Sequence, residues 1–165
     1  LPDLHFSLIA ENGHAVTAED YRGYTVLLYF GFTNCAAECP TTMARLANVV
    51  KRLGTDGQTL RILFVTVDPD RDTPPVLQKF VSSFDTVYIN GLTGDKDEIG
   101  ELARQYRAAY RRANQFAVSA KQREFIHSNA IYIFDKLGHA RLLASDKDSD
   151  QALISDLHRL ALGSD

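Results

Sequence analysis

Two cysteines, Cys35 and Cys39, are the only thiols in 165 residues, and both lie in Tyr29-Phe30-Gly31-Phe32-Thr33-Asn34-Cys35-Ala36-Ala37-Glu38-Cys39-Pro40. Residues four apart share one helical face, so both sulfurs can address one point. The apolar run 25–30 leads into them as a buried strand would, and Pro40 stands where the first residue of a helix is expected. A helix N-terminus favours thiolate over thiol, because its unpaired backbone N–H groups and its dipole stabilise negative charge. Three chemistries follow from such a dithiol: a redox disulfide, a peroxidatic thiol, or part of a metal site.

A metal needs further ligands, and the chain offers His5, His14, His127, His139 and His158. His5 falls in an expected N-terminal strand, His14 and His139 beside hairpin turns, and His158 on the last helix; all four read as surface or structural residues. His127 is different, because it closes an irregular segment just before an expected strand over 129–134. If that strand runs antiparallel to the strand feeding the cysteines, its start lies at the same sheet edge. Cys35, Cys39 and His127 would then meet. Two thiolates and an imidazole make a soft, three-coordinate set that suits Cu(I), and the imidazole can also hold Cu(II). A structural zinc site would normally take a fourth protein ligand, and none is evident nearby. Considered without the cysteines, His127 reads as a hydrogen-bonded loop histidine.

The elements that must position these groups are legible in order. Residues 4–16 alternate around Asn12-Gly13, a strong hairpin signal. A strand over 25–30 is followed by a helix over 40–53, which buries Met43, Leu46, Ala47, Val50 and Leu53 and stops at Gly54. Residues 61–67 form a β-rich run expected as a central parallel strand. Thr73 is the expected N-cap, and Pro74 the first residue, of a helix reaching 83 that buries Val76, Leu77, Phe80 and Val81. A short strand is expected near 86–89. Asp95 should cap a helix running to about Tyr106, with Glu98 three positions on. After the strand over 129–134, Asp135-Lys136-Leu137-Gly138 turns into a partner strand over 140–144. A helix over 150–161 then buries Leu153, Ile154, Leu157 and Leu160.

This order predicts an α/β sandwich with a mixed sheet, the arrangement of the thioredoxin fold with an extra N-terminal hairpin. We expect one domain over residues 1–165, with 45% hydrophobic residues sufficient for a full core. A net charge of −3 with both signs mixed argues against nucleic acid as the main partner. No apolar run approaches the roughly 20 residues that cross a membrane. The first residue is Leu1 rather than Met, and we expect a processed or trimmed chain from which any signal peptide or N-terminal anchor has been lost.

The stretch Gly31 to Pro40, the segment Val67-Asp68-Pro69-Asp70-Arg71-Asp72-Thr73-Pro74, and His127-Ser128 before a strand and hairpin together resemble the Sco/SenC family. Its members are thioredoxin-fold proteins that help to assemble the copper A centre of cytochrome c oxidase. The resemblance runs from about residue 4 to 160, with the motifs in the family's order. It implies that Cys35, Cys39 and His127 bind copper, as Cu(I), Cu(II) or both. It further implies delivery to oxidase subunit II or another copper-receiving protein, and exchange with other copper chaperones. Tethering by an N-terminal anchor is implied as well, in the bacterial periplasm as the simpler case or in the mitochondrial intermembrane space.

The chain departs from the family pattern at three places. Ala36 stands where relatives usually carry proline, Ile126 where they often carry an aspartate that orients the histidine, and Asn34 where a histidine is frequent. None of these replaces a metal-binding side chain. The segment 68–74 has two readings. It is a turn and helix cap, or it serves the site, with Arg71 favouring anionic thiols and Asp72 supporting a ligand from behind. The irregular segment 107–126 carries Arg107, Arg111, Arg112, Lys121 and Arg123 against the single acid Glu124. It reads as a solvated loop, or as a guide for docking on an acidic partner.

Two further functions are consistent with the dithiol. In a thiol–disulfide oxidoreductase acting on cysteines of the oxidase subunit or another partner, Cys35 would attack and Cys39 resolve. The usual thioredoxin pair is C-x-x-C, however, and all five prolines precede the strand at 129–134, before which thioredoxins place one. In a peroxidase, Thr33 two residues before Cys35 would resemble the peroxiredoxin arrangement, but the matching proline is missing from this stretch.

Overall fold

Strand β3 (Thr25–Gly31) is buried along its whole length, as its unbroken apolar sequence requires of a strand covered on both faces. The computed structural model describes residues 1–34, 38–84, 87–106, 130–145 and 147–162, with 38 and 39 as backbone only. The other strands are β1 (Ser7–Ala10), β2 (Ala15–Thr17), β4 (Leu60–Thr66), β5 (Ile89–Thr93), β6 (Ile131–Phe134) and β7 (Ala140–Ala144). The α-helices among the described residues are α1 (Glu38–Leu53), α2 (Pro74–Ser82), α3 (Lys96–Gln105) and α4 (Asp150–Ala161). All seven strands form one sheet in the order β2-β1-β5-β4-β3-β6-β7. Pairing of β3 with β4 and of β4 with β5 is parallel, whereas β6 runs antiparallel to β3. This is the mixed sheet flanked by helices that characterises the thioredoxin arrangement, extended by the N-terminal hairpin β1–β2.

Register assigns the helices to faces. Tyr29 lies opposite Phe64, whose ring is 4.8 Å from that of Phe80 on α2. The preceding residue, Leu28, lies opposite Tyr132, whose ring is 5.6 Å from that of Tyr106 at the end of α3. Successive strand residues point to opposite faces, so α2 and the end of α3 cover different sides. Met43, Leu46, Val50 and Leu53 of α1 are buried, as are Leu153, Ile154, Leu157 and Leu160 of α4, while Ala47 is partly buried. Each fully buried large side chain contributes on the order of 1.5–3 kcal/mol.

Several boundaries differ from expectation for physical reasons. Helix α1 starts at Glu38, two residues before Pro40, which therefore sits in the first turn, where a missing N–H breaks no helical bond. Strand β5 lies at Ile89–Thr93, later than the expected 86–89, and contains Asn90-Gly91, a pair that reads as a break. Gly91 belongs inside the strand because α2 crosses closely above it. A Cβ there would lie 3.1 Å from Leu77 Cβ and 3.3 Å from Val81 Cγ1. On α2, Leu77 and Val81 are buried and Phe80 is partly so, but Val76 is exposed. Thr73 has the extended backbone of an N-cap, with Pro74 first in the helix, yet its side chain makes no capping bond. Asp95 caps α3 as expected, its Oδ1 accepting from the amides of Asp97 at 2.7 Å and Glu98 at 3.1 Å.

Candidate metal centre

The sheet brings the flanks of the candidate ligands to one edge. Strand β3 ends at Gly31 and leads through Phe32, Thr33 and Asn34 toward Cys35, while Ile131 at the start of β6 lies opposite Tyr29. The antiparallel pairing on which the meeting of the three residues depends is therefore present. Ala130, three residues after His127 in the chain, stands at the same end of the sheet as the exit of β3. The backbone of Cys39 is second in α1, within the turn whose free N–H groups favour an anion. Cys35, Ala36, Ile126, His127 and the basic segment 107–126 lie outside the described residues, as does the side chain of Cys39. Among the described residues, no group of three or more His, Cys, Asp or Glu could hold a metal ion.

What the structure does define is the support behind the cysteine stretch. Asp72 is 1% exposed, and both of its carboxylate oxygens are occupied. Oδ2 accepts from the Thr33 amide at 2.9 Å and from the Thr66 hydroxyl at 2.7 Å. Oδ1 accepts from the Thr33 hydroxyl at 2.6 Å. Three donors around one carboxylate call for its ionised form, and bonds to a charged acceptor are the stronger kind, each worth about 1.5–3 kcal/mol. The Thr66 oxygen in turn accepts from the Asp68 amide at 3.0 Å, and the Asp72 amide donates to the Asp68 carbonyl at 2.9 Å. The Val67 amide reaches the Gly31 carbonyl at 2.8 Å, continuing the β3–β4 ladder to the edge.

The second reading of segment 68–74, that it serves the site, is thus given a definite contact: Asp72 binds the chain two residues before Cys35. No local pattern signalled the partnership, since Thr33 and Asp72 are 39 positions apart. Arg71 is half-exposed, with Nε 3.7 Å from Asp68 Oδ2. Asp70 pairs with Lys96 at 2.6 Å, which ties the same loop to the start of α3. The Thr33 hydroxyl, singled out by its place two residues before Cys35, donates to Asp72.

A second anchor closes this edge from the other side. Arg45 of α1 donates through Nε to Asp150 Oδ1 at 2.6 Å, and through its two terminal nitrogens to the carbonyls of Ser145 at 3.0 Å and Asp148 at 2.6 Å. These acceptors follow β7, whose Ala144 lies opposite Ile131. The helix that carries Cys39 is thereby joined to the chain next to the start of β6. The other described histidines lie away from this edge or point to other partners: His139 pairs with Asp3 and His158 with Asp56, while His5 and His14 are exposed.

A family model described as SCO1/SenC matches residues 3–162. A SCO2-like protein of Rickettsia prowazekii is 36% identical over 134 residues, covering 81% of this chain and 64% of that protein. The mitochondrial SCO2 homolog of Bos taurus is 36% identical over 137 residues, 81% of this chain and 50% of that protein. The chain thus spans between half and two thirds of the length of these relatives. Among solved structures, Bradyrhizobium japonicum ScoI with copper bound superposes with a TM-score of 0.81 at 31% identity, covering 97% of this chain and 99% of that one. BsSco, described as a Sco-family cytochrome c oxidase assembly protein with a disulfide switch, superposes with a TM-score of 0.78 at 26% identity over 96% and 91% of the two chains. Among the described residues, no helix is long and apolar enough to cross a membrane.

Proposed function

The chain belongs to the SCO1/SenC family, and from that premise we propose that it is a copper metallochaperone whose cargo is held by Cys35, Cys39 and His127. The observation that carries this reading is the convergence at one sheet edge: β3 delivers the chain to Cys35 where β6 receives it from His127. Three residues of chain reach at most roughly 11 Å between Cα atoms, so the imidazole has only a short span to cover from Ala130. The donor set fits the metal, since soft thiolates select Cu(I) and the imidazole extends the set to Cu(II). Cys39 in the first turn of α1 is placed where thiolate is favoured, and thiolate is the form that binds metal.

Release follows from the same chemistry. A three-coordinate site with exchangeable sulfur ligands passes copper on when an acceptor's thiolates replace its own one at a time. The acceptor in this proposal is cytochrome c oxidase subunit II or another copper-receiving protein, with other copper chaperones upstream. The protein works in the periplasm, held near the membrane by an N-terminal anchor in its full-length form. Copper titration of the reduced protein tests the site. One copper per chain is expected for the wild type, with affinity lowered at least tenfold in His127→Ala and lost in Cys35→Ala/Cys39→Ala. Unchanged stoichiometry and affinity in His127→Ala would sink the three-ligand reading.

A further inference from the structure

We infer that Asp72 is a positioning residue for the thiol pair. By clamping Thr33 to Thr66 it fixes where the chain leaves β3, two residues before Cys35, and so sets the geometry the sulfurs offer to copper or to each other. The inference deepens the copper reading and rests on it only for its metal readout. Two of the three bonds go to one residue, the amide and the hydroxyl of Thr33, so both the position and the orientation of that residue are determined. The clamp itself is anchored on both sides. Thr66 ends the central strand β4, and the loop bearing Asp72 is held by the Asp68 amide on Thr66 and by Lys96 on Asp70.

The choice of a carboxylate is informative. A turn or a helix cap is satisfied by neutral Asn or Ser at lower desolvation cost. Here an ionised group is 1% exposed, and among the described residues no cation pairs with it. Only an acceptor with two oxygens can take the amide and both hydroxyls at once. Among the described residues, the donors that meet this buried charge come from two separate strand ends, which it ties into one unit. The chain leaves that unit two residues before Cys35.

The test uses Asp72→Asn, which keeps the shape but leaves at least one donor unmet, together with Thr33→Val and Thr33→Ser. Cu(I) affinity is read by competition with a chromophoric chelator, and the Cu(II)–thiolate absorption band reports the geometry. In Asp72→Asn and Thr33→Val, affinity should fall tenfold or more and the band should move, with far-UV circular dichroism unchanged. Thr33→Ser, which keeps the hydroxyl, should match the wild type. A copper-free readout accompanies these: the rate at which glutathione disulfide oxidises Cys35 and Cys39. In that step the two thiols lose two electrons and two protons, and glutathione disulfide becomes two thiols. The rate should change at least threefold in the same two variants and not in Thr33→Ser. Wild-type affinity, band and oxidation rate in Asp72→Asn and Thr33→Val would overturn the inference. If the wild type itself binds no copper, the copper reading falls and the oxidation rate alone decides; if Asp72→Asn does not fold, the Thr33 pair decides.

Discussion

At the edge where β3 and β4 end, Asp72 is 1% exposed and accepts every bond from inside the protein. At the opposite edge, where β3 begins and β6 turns back, Asp3 and His139 meet with side chains 65% and 53% exposed. Around that exposed pair lie further polar contacts, some of them made by the buried Leu4 and Tyr106. The Leu4 amide donates to the Gly138 carbonyl at 2.7 Å, the Gly23 amide to the Lys136 carbonyl at 2.8 Å, and the Tyr106 hydroxyl to the Asp3 carbonyl at 2.8 Å. Burial and the nearby Asp3, offset in part by Arg22, push the Tyr106 phenol up to about 12. Burial also works to raise the Asp135 carboxyl, but the amides of His139 and Leu137 and the Arg141 guanidinium outweigh it and hold it below its usual value. The contrast teaches where rigidity is concentrated. Water can replace a partner lost from the exposed Asp3–His139 pair, whereas a partner lost from Asp72 leaves its fellows unsatisfied.

Removing one carboxylate from each edge breaks this comparison most directly. Asp72→Ala strands an amide and two hydroxyls in a dry setting and should lower unfolding free energy by about 3 kcal/mol. Asp3→Ala should leave the urea midpoint close to that of the wild type, because its partners are open to solvent. Equal midpoints for the two variants in urea denaturation would show that the edges do not differ in the way the hydrogen bonds indicate.

Arg45 sharpens the same contrast with a group of opposite sign. Its guanidinium reaches three acceptors at once, two carbonyls and Asp150. A lysine supplies the charge without the planar fork. Arg45→Lys should therefore cost about 1–2 kcal/mol, less than Asp72→Ala, since the side chain is 17% exposed and an ammonium retains one or two of the bonds. A loss smaller than that of an exposed single-bond variant would mean that the fork contributes nothing beyond charge.

How far the sequence foretold this arrangement depends on whether the determining contact is local. The Asn12-Gly13 hairpin, the Asp95 cap and the buried faces of α1 and α4 are set by neighbours within a few residues, and they stand where the pattern put them. The placement of β5 later than 86–89 was not legible, because Gly91 fits inside the strand through Leu77 and Val81 on another element. Val76 follows an apolar spacing yet faces outward, because α2 covers β5 with Leu77 and Val81 alone on its innermost line. For the candidate centre, the dithiol and His127 were legible by residue type and by resemblance to a family. Asp72 was legible as a turn residue or as a support for a ligand, but its partner was not, since nothing in 68–74 announces Thr33, 39 positions away. A buried carboxylate bonded to distant threonines is a tertiary fact with no periodic signature.

The smallest effect expected is the most specific to the solvated edge. Hydrogen bonding to Asp3 and then its charge raise the His139 pKa; slight desolvation and Arg22 oppose this, and Asp135 adds to it. A histidine raised in the folded state contributes its stabilisation fully below its unfolded value, about 6.5, and loses it as pH climbs through the folded value. The tie between Asp3 and the 135–139 turn should therefore be intact below the free-histidine value and weaken as pH climbs above it. NMR titration of the His139 ring should give a midpoint above that of a free histidine. Asp3→Asn should move it down, and raised salt should do the same, because charges this exposed are screened. A midpoint unmoved by both changes would show that Asp3 does not hold the ring in solution, and the order of the solvated edge would then rest on its other bonds, among them those of Leu4, Gly23 and Tyr106.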